Sequence, residues 1–131
     1  MLGAQEKSFF IYTAIGAREL SGCDIKQGAV LIQDRKLLAY GFNKKIIKEE
    51  KWEISAIYDA IFGSRTESLI DATLFCTFFP SVDDIKLMVS VGIASLYLIG
   101  ETGDAEAVYF INKLNAGGIP LEIILLNSKK D

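Results

Sequence analysis

With no histidine in its 131 residues, this chain can draw chemistry only from carboxylates, lysines, hydroxyls, phenols and two thiols. That removes at once the commonest general base and the commonest zinc ligand. No hydroxyl or thiol nucleophile can belong to a histidine-based triad. Asp59, Asp84, Lys86 and Tyr58 are the groups left for acid–base work, although Asp and Lys in such positions ordinarily form a solvated surface. Cys23 and Cys76 lie far apart, one before the first apolar run and one inside a later run, so two reduced thiols are expected.

The elements that would position these groups centre on residues 72–97, ATLFCTFFPSVDDIKLMVSVGIASLY. Ala72 to Thr77 is an apolar run that reads as a buried strand, and Pro80 stops it. Ser81 then stands at a helix N-cap position with Asp84 three residues on, the spacing of a capping box. Val82, Ile85, Met88 and Val89 recur at helical spacing, Gly92 ends the helix, and Ile93 to Ile99 is a second apolar strand. A strand–helix–strand unit of this kind predicts parallel strands joined by a right-handed crossover.

Upstream, Lys7 to Leu20 reads as a helix that is apolar on more than one side, hence largely buried. Gln27 to Gln33 and Leu37 to Phe42 form a hairpin around a polar turn at Asp34, Arg35 and Lys36. Lys44 to Lys51 is charged and expected to be solvated. Over Glu53 to Phe62, Ile54, Ile57, Tyr58, Ile61 and Phe62 fit an amphipathic helix ended by Gly63. Trp52 either staples that helix or anchors an interface. Downstream, Gly100 to Gly103 turns the chain. Ala107, Phe110, Ile111 and Leu114 give a helix its apolar stripe before Gly117 and Gly118, Leu121 to Leu126 forms a last strand, and the SKKD tail is expected to fray.

The order α-β-β-α-β-α-β-α-β predicts a three-layer α-β-α domain with a mixed five-stranded sheet, one domain over residues 1–131. Half the residues are hydrophobic and the net charge is −3, so a soluble globular fold is expected, with no electrostatic footprint for nucleic acid. No stretch is long and apolar enough to span a membrane, and the N-terminus lacks the pattern of a signal peptide, so the expected compartment is the cytoplasm.

Several of these stretches resemble the cytidine and deoxycytidylate deaminase superfamily. That family has a strand ending in T-L, then P-C-x-x-C opening a helix, then A-G-I and another strand. Without a gap, Thr77, Pro80, Gly92 and Ile93 fall on this pattern, while Ser81 and Asp84 hold the cysteine places. Residues 28–43, GAVLIQDRKLLAYGFN, are similar to the family's G-A-V-I-V-x-D-x-x-I-x-x-G-Y-N hairpin, with Asn43 on the asparagine that holds a nucleoside. Residues 55–61, SAIYDAI, lie where the family has H-A-E-x-N-A-I, with Ala56, Ala60 and Ile61 matching. A helix between the fourth and fifth strands is similar to the deoxycytidylate and tRNA-adenosine deaminase branch, which implies that the last two strands are parallel.

In these enzymes one His or Cys and two Cys hold zinc, which activates water, and the glutamate of H-x-E shuttles protons. Carried over, the ligand positions become Ser55, Ser81 and Asp84, and the shuttle becomes Ile57. Hydroxyls are poor zinc ligands and isoleucine moves no proton, so no catalytic residue, metal or cofactor is expected. Each substitution also has a plain structural role. Ile57 falls on an apolar stripe, Ser81 and Asp84 make a good helix start, and Ser55 can satisfy a backbone N–H. Asn43 serves either a turn or a ligand. Phe78 and Phe79 either fill space or stack on a base, and with Asn43 and Ala56 they are the candidate ligand-binding residues.

Three functions follow from this. The first is an inactive deaminase-like protein that binds a protein partner or forms a homo-oligomer, a dimer or larger. The second is a nucleotide- or nucleoside-binding protein using the relict pocket between two helix N-termini. The third is an enzyme of different chemistry on the same fold.

Overall fold

A computed structural model describes residues 2–47, 52–66, 68–100, 103 and 105–126. The first helix, α1, spans Ala4–Arg18. Glu6 Oε1 accepts the Gly3 N–H at 2.9 Å, which closes the helix start, and the same carboxylate pairs with the Arg35 guanidinium at 2.9 Å. The Gly3 N–H and then Arg35 hold the Glu6 carboxyl below its ordinary value. The expectation that α1 is buried on several sides is corrected. Only Phe10, Ala14 and Ala17 are buried, while Phe9 and Tyr12 are 59% and 72% exposed. The sheet covers one stripe of the helix, and apolar composition alone does not say how many sides have a neighbour.

Strands β1 (Gly28–Gln33) and β2 (Lys36–Phe42) form the expected antiparallel hairpin. Its turn is two residues, Asp34 and Arg35, with φ of 53° and 65°. That left-handed pair matches the twist of the flanking strands, and it leaves Lys36 inside β2. Leu38 is an extra residue in the pairing, a bulge opposite Leu31/Ile32.

The next region departs from expectation. Lys44–Lys45 (β3) and Glu53–Ile54 (β4) pair as a short antiparallel ladder, so part of the stretch expected to be merely solvated is a strand. Residues 48–51 of that charged run lie outside the described residues. The following helix, α2, is Ala56–Ser64 rather than Glu53–Phe62. Ser55 takes the N-cap, so Ile54 is extended, and Gly63 lies inside the helix, which ends on left-handed Arg65. The buried residues of α2 are Ala56, Ile57, Ala60 and Ile61, and Phe62 is 66% exposed. Trp52, three positions before the cap, is too far upstream to be its staple and is 65% exposed.

Strand β5 (Thr73–Cys76), helix α3 (Val82–Val91) and strand β6 (Ser95–Ile99) follow as expected, with Gly92 left-handed at the α3 C-cap. Helix α4 (Ala105–Ala116) and strand β7 (Glu122–Leu126) complete the order. The expected turn at Gly100 to Gly103 falls partly, and the expected frayed tail wholly, outside the described residues.

The five-stranded sheet runs β2-β1-β5-β6-β7. β1 is antiparallel to both β2 and β5, while β5–β6 and β6–β7 are parallel, so the sheet is mixed. One face carries α1, through Phe10 and Ala14 against Val30, Ile32 and Phe75. The other carries α2, α3 and α4, through Ile57, Ile85, Met88 and Ile111 against Leu31, Leu74, Leu96 and Leu98. Two glycines set the layer spacing. A Cβ on Gly28 would lie 2.2 Å from Ala14 O, and one on Gly41 would lie 2.4 Å from Ala56 O, so helix backbone rests directly on β1 and β2. Both cysteines are buried and unbridged. No helix among the described residues is long and apolar enough to cross a membrane.

Candidate functional site

The carboxyl end of β5 and the amino ends of α2 and α3 meet at one seam, and three of the positions singled out in the sequence meet there. Ser55 caps α2 by accepting the Tyr58 N–H at 3.1 Å. Its hydroxyl then donates to Asp84 Oδ1 at 2.6 Å, a short contact of the kind made to an ionised acceptor. Asp84 Oδ2 accepts the Ser81 N–H at 3.0 Å, and Ser81 Oγ accepts the Asp84 N–H at 3.1 Å, which completes the capping box of α3. A continuous path of hydrogen bonds therefore links the first turn of one helix to the N-cap of the other.

Asp84 is only 3% exposed. Buried carboxylates are costly unless compensated, and here the compensation is visible. Each helix N-terminus carries roughly half a positive charge, so two of them match about one carboxylate. Among the described residues no buried side-chain nitrogen or oxygen lacks a partner. Cys76, at the end of β5, is fully buried, and burial, followed by the nearby Asp84 carboxylate, pushes its thiol well above 9.0. Burial also raises the Tyr58 phenol, with Asp83 and Asp84 adding to it.

Ile57 is 0% exposed and lies in the same core cluster as Ile85 and Met88. Ala56 is equally buried, and its N–H, the first of α2, donates to Gln27 Oε1 at 3.1 Å. Asn43 is 1% exposed, away from the Ser55–Asp84 seam in its bonding. Its Oδ1 accepts from the Ser21 hydroxyl at 2.6 Å and the Gln27 N–H at 2.8 Å. Its amide nitrogen donates to Ile25 O at 2.7 Å and Glu53 Oε1 at 3.1 Å. Asn43 thus ties the α1–β1 loop to β4. Phe78 and Phe79 are half-buried against the core, and the Phe79 ring occupies the space a Cβ on Gly103 would need, 2.6 Å away. Phe79 lines a groove with Ile111 and Leu121, toward α4 and β7.

Gln27, Ser21, Glu53 and Cys76 are participants that sequence reasoning did not single out as site residues. Gln27 and Ser21 act through partners 16 to 29 positions away, and nothing in local periodicity marks them.

The donor set can be tested against the zinc that the sequence resemblance implies. Structural and catalytic zinc sites use thiolate, imidazole and carboxylate ligands, three or four together. Here the matching positions supply two hydroxyls and one carboxylate, bonded to one another. Among the described residues no group of three or more His, Cys, Asp or Glu side chains could hold a metal ion. These residues do not fit the metal.

No protein-family model matches the chain, and no curated protein matches it. Solved structures do. The dCMP deaminase of cyanophage S-TIM5, in complex with dCMP and dUMP, is similar with a TM-score of 0.80 and 19% identity, over 96% of this chain and 100% of that one. Its apo form gives 0.76 and 22%, over 94% of this chain and 100% of that one. A Thermotoga maritima diaminohydroxyphosphoribosylaminopyrimidine deaminase/reductase gives 0.68 and 21%, over 92% of this chain but 36% of that longer one. At these identities the likeness is one of fold. Strand order, the two parallel crossovers and these likenesses together identify the fold of this chain as cytidine deaminase-like.

Proposed function

We propose that this chain is a zinc-free protein of the cytidine deaminase-like fold that acts by binding another protein chain, not by deamination. The observation that carries this reading is the 2.6 Å hydrogen bond from Ser55 to Asp84. Groups that would have to face a substrate face each other, and Ile57, at the proton-shuttle position, is sealed in the core. A site organised this way has neither a Lewis acid ligand set nor a proton carrier.

Asp84 already holds the ground between two helix N-termini that an anionic ligand would use. Asn43 has its amide engaged by four protein groups. Both points favour a surface role over a nucleotide pocket.

The test is direct. Chain purified without a chelating tag is measured for metal and assayed with cytidine, deoxycytidine and dCMP, by absorbance and by chromatography of the products. The reading expects substoichiometric zinc and no conversion. Turnover, or one zinc per chain, overturns it.

A further inference from the structure

The sheet has two edge strands, and they are treated differently. β2 begins with Lys36, carries a bulge, and has its Phe42 N–H taken by Asp59 Oδ2 at 3.1 Å. A lysine, a bulge and a covering side chain are the usual means of keeping an edge from pairing. Among the described residues β7 has none of these. Its residues are Glu-Ile-Ile-Leu-Leu, its pairing with β6 is in unbroken register, and β6 is its sole strand partner among the described residues. Pro120 stands outside the strand, where it blocks nothing.

Both faces beside this edge are also unfinished. On the α4 side a groove of about 410 Å³ runs between α4 and β7, with Val108, Asn112 and Leu125 on its walls, and Leu125 is 53% exposed. On the α1 side, Tyr97, Ile99 and Leu126 are only partly buried, because α1 packs on β1, β2 and β5.

We propose that β7 is a self-association edge on which a second copy of this chain pairs its own β7, antiparallel, to give one continuous sheet. Self-complementarity selects this occupant. Centred on Ile124, the antiparallel register sets Ile123 opposite Leu125 on the groove face, twice over, and Ile124 opposite itself on the other face. Every cross-strand pair is then apolar except that of Glu122 with Leu126. The two Glu122 carboxylates end about 14 Å apart along the strands, whereas parallel pairing would set them side by side. A strand added here also lays side chains into the groove and over the partly covered Tyr97–Leu126 face. The inference rests on the reading of this chain as acting through its surfaces, and it names the surface and the partner.

The experiment measures the mass of the full chain by light scattering and sedimentation from micromolar to submillimolar concentration. A dimer, twice 14.4 kDa, is expected. Leu125→Lys puts two charges into the seam and should weaken dimerisation by about tenfold or more. Tyr40→Lys, on the β2 edge, should leave it unchanged. Ile124→Cys tests the register without relying on lost affinity. Residues paired across an antiparallel ladder have Cα atoms about 4.5–5.5 Å apart, inside the disulfide range of about 4.4–6.8 Å. Mild oxidation should therefore link the two copies through position 124. Leu125→Cys should not link, because its two copies would sit roughly 8 Å apart. The native thiols are buried and do not interfere. A chain that stays monomeric throughout, whether or not another protein's strand occupies β7, overturns the proposal. So does a dimer that survives Leu125→Lys and fails to link through position 124. Zinc or turnover would instead undo the broader reading, so the two failures are distinguishable.

Discussion

Removing the Asp84 carboxylate should cost far more than removing a helix cap. In the folded chain this group accepts from the Ser55 hydroxyl and from the Ser81 N–H, at 3% exposure. Hydrogen bonds to charged acceptors contribute about 1.5–3 kcal/mol each, so Asp84→Ala should destabilise by about 3–4 kcal/mol, allowing for the relief of burying one charge. Ser55→Ala loses the cap on Tyr58 N–H, about 1 kcal/mol, and one donor to the carboxylate, so about 2–3 kcal/mol is expected. The two losses share one bond. The double variant should therefore fall short of their sum by about 1.5 kcal/mol, the coupling between the helix starts. Urea unfolding followed by circular dichroism and by fluorescence, with coincident transitions, measures all four corners of the cycle. Domains of this size have only about 5–15 kcal/mol in hand, so Asp84→Asn is the milder substitute, expected at about 1–2 kcal/mol because the amide keeps one acceptor. A coupling below about 0.5 kcal/mol would mean that Ser55 and Asp84 merely sit near each other, and the sealed-seam account would fail.

Ile57→Glu installs the residue type that the sequence resemblance places at this position. Because the side chain is wholly enclosed, the new carboxyl has no water and no donor, and a loss of about 3–5 kcal/mol or an insoluble product is expected. No deaminase activity should appear with it, and a variant that folds normally and turns over cytidine would contradict the assignment. Alkaline pH should unfold the chain through Cys76. Its thiol is raised in the folded state, so above pH 9.0 the unfolded chain gives up a proton that the folded chain keeps, and stability falls as pH rises. The slope should approach about 1.4 kcal/mol per pH unit from this group alone, with Tyr58 adding in the same direction above 10.0. Denaturation midpoints for the wild type and Cys76→Ala across that range check it, and parallel curves would refute the role given to the thiol.

Where neighbours in the chain determine an element, the sequence told it plainly. Helix α3 could be read from Ser81, Asp84 and Gly92 together, because a capping box and a left-handed C-cap are local devices. The hairpin and the parallel β5–β6 unit followed from apolar runs and breakers of the same local kind, whereas the parallel pairing of the last two strands was implied only by the family resemblance. The start of α2 did not. Ile54 satisfied a helical period by coincidence, and Ser55 overrode it by capping one residue later. β3 and β4, two residues each, are too short to show any period. For α1, periodicity counted apolar residues without saying which of them would find a neighbour, so a helix read as largely buried leaves Phe9 and Tyr12 exposed. At the candidate site, Ser81 and Asp84 were legible as a capping box, but the bond between Ser55 and Asp84 joins residues 29 apart and exists only once α2 and α3 are packed. The anchoring of Ala56 by Gln27 and of Asn43 by Ser21 is long-range in the same way.

We propose that hydrogen bonds hold two helix starts together at the positions that the sequence resemblance assigns to a metal. Elemental analysis of untagged chain, grown with zinc supplied and kept clear of chelators, addresses it most directly. Less than about a tenth of an equivalent of zinc is expected, because two hydroxyls and one carboxylate make too poor a ligand set to retain it. One equivalent, held through dialysis and lost on Asp84→Ala, would contradict it.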